Sequence, residues 1–135
     1  MPHDSYPTDS WNCFGASVTA ADLKTTADFF VSSGLAAAGY EYVSTDDGWM
    51  TGARDAAGNM IADPVKFPGG FTDVVSYVHG KGLKIGLYSA ASSVVCSGRT
   101  GSLYHEEGDA AQWASWGVDY VKCAARERPL CLAPH

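Results

Sequence analysis

The sequence of 135 residues has few positive charges and no long apolar run, and both deficits exclude classes of partner. Nine lysines and arginines stand against fifteen aspartates and glutamates, which gives a net charge of −6 at pH 7. An acidic chain is a poor match for nucleic acid or for an anionic membrane surface, so we expect neither as a partner. No apolar stretch approaches the ~20 residues of a membrane span, and residues 1–10 have no apolar run typical of a signal peptide.

Several short motifs that carry common chemistry are also missing. The cysteines, at positions 13, 96, 123 and 131, form no CxxC pair, and the histidines have no spacing typical of metal ligands. The Gly/Ser-rich loop 96–102 does not end in Gly-Lys-Ser/Thr, and no Gly-x-Ser-x-Gly elbow is present. We therefore expect no metal and no cofactor, and a bound nucleotide is not predicted.

What the chain does have is one local pattern repeated three times. A helical periodicity ends at a glycine, and a short β-rich run follows it. The pattern predicts helices over residues 19–38, 71–79 and 106–116. Counting a first strand that would end at residues 10–12, it predicts the second, third and fourth strands over residues 40–45, 83–88 and 118–122. Thr19 and Asp22 have the spacing of a capping box at the start of the first helix. Strands separated by helices of this length predict βαβ units and a parallel sheet.

The predicted loops differ in length on the two sides of this sheet. The connections from helix to strand are short, whereas the strand-to-helix loops 46–70 and 89–104 are long. Ligand sites in parallel α/β proteins lie at the carboxyl ends of the strands, so the long loops predict a site there. Residues 123–135 have no clear hydrophobic period and contain two prolines, so we expect a disordered or poorly packed tail. The strand before this tail would have an unpaired edge, which can pair with another chain.

Asp46, Asp47 and Trp49 follow the second predicted strand and are candidates for a sugar site. Carboxylates accept hydrogen bonds from vicinal hydroxyls, and an indole offers a flat apolar face to a sugar ring. Since adjacent carboxylates point to different sides, at most one is expected to face the loop side fully. The alternative is a solvated turn in which an aspartate acts as a local cap, and the dipeptide alone favours that alternative.

Three further residues have both a binding and a structural interpretation. Trp11 could form the floor of the same pocket or could be a core aromatic. Tyr88 ends the third predicted strand, where its hydroxyl could reach a ligand or lie at the rim of the sheet. Lys122 ends the fourth predicted strand, and its ammonium could donate to a ligand oxygen or simply be exposed.

A set of segments in fixed order carries a wider resemblance. The segments are Ser-Trp-Asn at 10–12, Ala-Gly-Tyr-Glu-Tyr-Val at 38–43, Asp-Asp-Gly-Trp at 46–49, Ala-Asp-Pro at 62–64, Lys-Phe-Pro at 66–68, Tyr-Val-His at 77–79, Lys-Gly-Leu-Lys at 81–84, Gly-Leu-Tyr-Ser at 86–89, Cys-Ser-Gly-Arg at 96–99, Gly-Ser at 101–102 with Glu-Glu at 106–107, and Trp-Gly-Val-Asp-Tyr-Val-Lys at 116–122. Over residues 10–122 they resemble the α-galactosidase (melibiase) family of glycoside hydrolases, which includes related α-N-acetylgalactosaminidases.

The resemblance implies an α/β fold, namely a partial (β/α)8 TIM barrel of about the first four β/α units. It also implies hydrolysis of terminal α-D-galactosyl residues with retention, by one nucleophilic and one acid/base carboxylate. The expected partner is therefore an α-galactoside, from a family whose members are often secreted or lysosomal. Trp49, proposed above from its indole ring, is added to the residues that the resemblance implies. The predicted substrate-binding residues are then Trp11, Asp46, Asp47, Trp49, Tyr88, Cys96 and Lys122. The resemblance also makes Cys96 one half of a disulfide beside the pocket.

The sequence departs from the family pattern directly after Lys122. Ala124 occupies the position of the nucleophile, and Arg126 occupies the position of the partner of Cys96. Gly48 and Ala16 occupy two positions that are often a cysteine pair in relatives. We expect an altered N-terminal extension at 1–9, half a barrel at 10–122, and a tail at 123–135 that is either out of frame or disordered. We expect no turnover from this chain, with galactose binding or self-association as the alternative functions.

Overall fold

The computed structural model describes residues 8–124, apart from the side chains of residues 8, 9, 11 and 12. The chain forms ten helices and strands in this range, with a 3₁₀ turn at Gly15–Ser17. In chain order they are β1 (Thr8–Asp9), α1 (Trp11–Phe14), α2 (Ala20–Ser32), β2 (Tyr42–Ser44), β3 (Met50–Arg54), β4 (Met60–Ala62), α3 (Gly70–Gly80), β5 (Lys84–Ala90), α4 (Glu106–Trp116) and β6 (Tyr120–Ala124). None of the helices described is long and apolar enough to cross a membrane.

A parallel sheet in the order β1-β2-β5-β6 confirms the predicted α/β class and its partial-barrel character. Each strand pairs with the next one of the sheet along the chain, as successive units of a (β/α)8 barrel do. The register sets Tyr88 opposite Lys122 and Ala90 opposite Ala124. Because side chains alternate along a strand, these four residues lie on one face of the sheet.

The opposite face of the sheet packs against the helices. Val43, Ile85 and Leu87 are almost completely buried there, in one cluster with Leu23 of α2 and Val78 of α3. The helical stripes predicted from the 3.6-residue period thus face the sheet. One side of the sheet therefore holds the apolar core, and the other carries polar and aromatic side chains.

The first helix ends earlier than its periodicity predicts. α2 stops at Ser32, and residues 33–39 form turns instead of the predicted continuation to residue 38. Gly34 has φ +83°, a left-handed conformation that glycine adopts at little cost and that interrupts the helix. At its other end the predicted capping box is confirmed, with Thr19 and Asp22 each bonded to the other's backbone N–H.

A small antiparallel hairpin lies within the long loop after β2. β3 and β4 pair with each other in a separate two-stranded sheet, with Met50 opposite Ala62 and Arg54 opposite Met60. The sequence pattern predicts only a loop over residues 46–70, so the hairpin is a difference from that prediction. α3 and α4 agree closely with the predicted helices, and the predicted tail begins inside β6, since Cys123 and Ala124 pair with Ser89 and Ala90.

Candidate functional site

The candidate site lies at the carboxyl ends of β2, β5 and β6. Asp46 directly follows β2, Tyr88 lies near the end of β5, and Lys122 lies near the end of β6. Parallel pairing brings these three ends to one edge of the sheet, which is where the long loops predict a site. The convergence depends only on strand order and register, so the sequence could predict it.

Asp46 and Lys122 form an ion pair at the centre of this edge. Lys122 Nζ lies 2.5 Å from Asp46 Oδ2, and only 7% of the Asp46 side chain is exposed. The backbone N–H of Asp47 donates to the other carboxylate oxygen at 2.6 Å. Ser10 Oγ accepts from the backbone N–H of Asp46 at 2.8 Å, which ties the end of β2 to the segment after β1.

Asp47 points away from this pair, toward the loop that follows β5. Ser97 donates to both of its carboxylate oxygens, from its backbone N–H and from its hydroxyl, each at 2.7 Å. Asp46 and Asp47 are both buried, so the alternative of a solvated turn does not hold. The two carboxylates do diverge, as expected for neighbouring residues.

Tyr88 supplies an aromatic wall beside the ion pair. Lys122 Nζ lies 5.7 Å from the centroid of its ring, a cation–π distance. Burial, together with the negative charges of Asp47 and Asp46, raises the pKa of the Tyr88 phenol to about 12. The hydroxyl therefore stays protonated at neutral pH and can donate a hydrogen bond.

Trp49 does not contribute a face to this site, which corrects the prediction from the Asp-Asp-Gly-Trp segment. Its side chain has no exposed surface, and its ring centroid lies 5.3 Å from that of Phe71 and 6.0 Å from that of Trp116. The indole N–H donates to the backbone carbonyl of Tyr88 at 2.8 Å. Trp49 directly precedes β3, and its apolar ring packs in the core. No sugar can stack on a ring in this position.

The remaining predicted residues cannot all be placed. The side chain of Trp11 lies outside the described residues, so its predicted role stays a prediction. Cys96 lies in the loop beside Ser97, and the expected position of its disulfide partner, Arg126, is also outside them. Cys13 and Cys123 are free thiols, so no disulfide joins two of the described cysteines.

Ser10 and Ser97 are site residues that the sequence analysis did not single out. Serine is common in loops, and nothing in its local sequence marks a hydroxyl that bonds to a residue 36 or 50 positions away. Ser97 belongs to the Gly/Ser-rich loop and to the Cys-Ser-Gly-Arg segment of the family resemblance, and neither assigns it a role. Its proximity to Asp47 could be found only from the packing of the loop after β5 on the loop after β2.

The arrangement offers hydrogen-bonding groups that suit a hydroxyl-rich ligand. Two carboxylates, one ammonium and one neutral phenol provide both acceptors and donors around an aromatic ring. Ala124 follows Lys122 by two residues and lies on the same face of β6, where a carboxylate could reach the site. A methyl group there offers neither a nucleophile nor a base.

Comparison with known proteins gives consistent matches. The family model described as "Alpha galactosidase A" matches residues 7–128. The alpha-galactosidase of Cyamopsis tetragonoloba and alpha-galactosidase A of Cellvibrio japonicus are each 50% identical to the chain, over 115 and 114 residues. Each alignment covers 84% of this chain and 28% of the relative, so the chain spans little more than a quarter of the length of these relatives.

Solved structures agree with the sequence matches. Alpha-galactosidase I from Mortierella vinacea superimposes with a TM-score of 0.86 at 39% identity, over 88% of this chain and 30% of that chain. The alpha-galactosidase of Saccharomyces cerevisiae, solved with raffinose, gives 0.85 at 40% identity, over 88% of this chain and 26% of that chain. The fold and the order of its strands are therefore shared with these proteins.

Proposed function

Because this chain belongs to the alpha-galactosidase A family, we propose that its site binds the galactosyl unit of terminal α-D-galactosides. The substrate class is that of a retaining glycoside hydrolase, and raffinose, present in the solved Saccharomyces cerevisiae structure, represents it. The observation that carries the proposal is the convergence of Asp46, Lys122 and Tyr88 at one edge of the sheet. Asp46, Asp47 and Lys122 would hold sugar hydroxyls, while Tyr88 would line the pocket.

We further propose that the chain with this sequence binds galactosides without hydrolysing them. A retaining mechanism needs a carboxylate to form the glycosyl-enzyme, and Ala124 occupies that position by resemblance to the family. The polar groups left at the site can orient a sugar but cannot attack its anomeric carbon. Trp11 and Cys96 are proposed to complete the sugar-binding set.

Self-association is a second proposal, and the position of β6 favours it. β6 is the last strand in the order of the described sheet, so one side of its backbone has no described strand beside it. An unpaired strand edge is a template for pairing with another chain. A second copy could therefore cover this edge without any change in the sugar-binding residues.

Galactose binding is tested by titrating the ¹⁵N-labelled chain with galactose, raffinose and glucose while recording NMR spectra. We expect saturable shifts at Asp46, Asp47 and Lys122 with galactose and raffinose, with a Kd on the order of millimolar. Asp46→Asn removes the charge that pairs with Lys122, and the affinity should fall by about tenfold or more, since hydrogen bonds to charged groups contribute about 1.5–3 kcal/mol.

Asp73→Asn is the matched control, because Asp73 forms an exposed ion pair with Lys24 on the helical side. It should leave the galactose titration unchanged. If galactose produces no saturable shift, or if glucose binds equally well, the proposed function is contradicted.

A further inference from the structure

Two cationic side chains converge on one backbone carbonyl directly after the paired aspartates. Lys66 Nζ donates to the carbonyl oxygen of Gly48 at 3.0 Å, and Arg99 Nη1 donates to the same oxygen at 3.2 Å. Gly48 follows Asp47 in the chain, so this carbonyl belongs to the loop that carries both carboxylates. Lys66 and Arg99 come from two different loops, 18 and 51 residues away.

Lys66 connects the aspartate loop to the N-terminal segment. Besides Gly48, its ammonium donates to the carbonyl oxygen of Ala16, and its own carbonyl accepts from the N–H of Ala20 at the start of α2. Gly48 and Ala16 are in direct contact, because a Cβ on Gly48 would lie 2.5 Å from the Ala16 carbonyl oxygen. Gly48 also has φ +102°, so only glycine fits this approach without strain.

Arg99 connects the same loop to β3 and to Asp63. Its Nη1 donates to the carbonyl of Met50 at 2.5 Å and to Asp63 Oδ2 at 3.2 Å. Asp63 Oδ1 in turn accepts from the backbone N–H groups of Val65 and Lys66. Burial opposes ionisation of Asp63, but these backbone hydrogen bonds and Arg99 hold its pKa below the ordinary value.

The charged form of Lys66 is less favourable than that of an exposed lysine. Burial lowers its pKa, and the charge of Arg99 lowers it further, while Asp63 and Asp47 act in the opposite direction. Carbonyl oxygens and these carboxylates surround the ammonium and offset part of the cost of burying its charge. The ammonium is thus held among groups of the aspartate loop and its neighbours.

Arg99 also acts on the other side of Asp47. It lies in the same loop as Ser97, which donates to both oxygens of Asp47, and the N–H of Val95 donates to the Arg99 carbonyl to close this loop. One loop therefore fixes the carboxylate of Asp47 through Ser97 and the peptide after it through Arg99. Lys66 fixes the same peptide from the opposite loop.

We propose that Lys66 and Arg99 are positioning residues that hold residues 46–49 in the geometry needed to bind a sugar. The identity of the ligand rests on the proposed function. The claim that Lys66 and Arg99 hold residues 46–49 in place does not depend on it. Without the two cations, the Gly48 carbonyl loses its partners and the loop is free to turn, which redirects the carboxylates of Asp46 and Asp47. Neither Lys66 nor Arg99 is required to touch the sugar.

The test compares Lys66→Met with Lys66→Arg in the full chain, by hydrogen exchange and by galactose titration. The reporter is the buried indole N–H of Trp49, which is bonded to the Tyr88 carbonyl and follows Gly48 directly. We expect Lys66→Met to speed its exchange by about tenfold and to weaken galactose binding by a similar factor, while amides of α4 keep their rates. Lys66→Arg should restore both within about twofold, since it keeps the charge and can still donate to carbonyls.

Lys84→Met is the control, because Lys84 forms an exposed ion pair with Glu41 and is remote from Gly48. The proposal is overturned if Lys66→Met behaves like Lys84→Met, or if exchange rises equally throughout the chain, which would show a general loss of stability. If Lys66→Met does not fold, Arg99→Met gives the same test, since it removes the donor to the Gly48 carbonyl from the other loop. If galactose does not bind the unsubstituted chain, the proposed function fails while the exchange comparison still decides the positioning role.

Discussion

Ala124 is the residue on which the proposed separation of binding from catalysis depends. It lies on the same face of β6 as Lys122, two residues further along the strand, and its register partner is Ala90. Lys122 is anchored by Asp46, so the position of Ala124 relative to the sugar-binding groups is fixed by the same strand. If residue 124 occupies the position of the nucleophile, as the proposed function holds, its methyl side chain cannot attack a bound galactoside.

We expect no hydrolysis of a chromogenic α-galactoside by this chain, measured as release of the phenol over the uncatalysed background. The reason is that a methyl group at residue 124 cannot form a covalent glycosyl-enzyme. The Asp46→Asn variant, purified in parallel, shows how much activity comes from contaminants. Hydrolysis that survives purification and that falls in Asp46→Asn would contradict the prediction.

At the scale of elements, the hairpin β3–β4 is held by its contacts with α4. Arg54 on β3 makes a two-pronged ion pair with Asp109 in the first turn of α4, at 2.6 and 2.8 Å. The same guanidinium also donates to the carbonyl oxygens of Gly58 and Gly101, so both of its Nη groups make hydrogen bonds to the carboxylate and to the backbone. The Gln112 side-chain amide adds two bonds to the backbone of Met60. These contacts explain why a short hairpin is stable within a long loop.

Arg54→Met should lower the free energy of unfolding by about 3–5 kcal/mol, because it leaves the buried carboxylate of Asp109 without its partner. Chemical denaturation followed by tryptophan fluorescence measures the change. Lys24→Met breaks an exposed ion pair with Asp73 and should cost less than about 1 kcal/mol. Equal effects of the two substitutions would show that the Arg54–Asp109 pair does not fix the hairpin.

At the scale of the whole molecule, the inner face of the described sheet is most exposed along β6. Tyr120 of β6 is 42% exposed although it packs edge-on against Tyr42, with the two ring centroids 6.2 Å apart. A parallel sheet is normally covered on both faces. The chain thus carries an aromatic patch on β6, the last strand of the described sheet.

We expect the purified chain to self-associate with increasing concentration, as measured by sedimentation velocity in the presence of a reductant that keeps Cys123 as a thiol. Tyr120→Lys places a charge beside the edge and should reduce association. Tyr104→Lys changes a tyrosine before α4 that is more exposed, at 88% against 42%, and should have no effect. A chain that stays monomeric over the whole concentration range would refute self-association through β6.

The sequence by itself indicated α2, α3 and α4, the parallel strands β2, β5 and β6, and the family of this protein. Glycines at positive φ follow α3 and α4, and the Thr19–Asp22 box starts α2, so these boundaries are set by local backbone preferences. Strand order then follows from short connections, which is why the meeting of Asp46, Tyr88 and Lys122 could be predicted. The sugar-binding roles of these residues stay predictions until a ligand is tested.

Only the tertiary structure decided what surrounds these residues. The burial of Trp49, the hairpin fixed by Arg54 and the bonds from Ser97, Lys66 and Arg99 all join residues that are far apart in the chain. Local propensity carries no information about such pairs, because each depends on how loops pack after the sheet has formed. The sequence thus places the carboxylates at the edge of the sheet, while packing between loops sets the direction in which each one points.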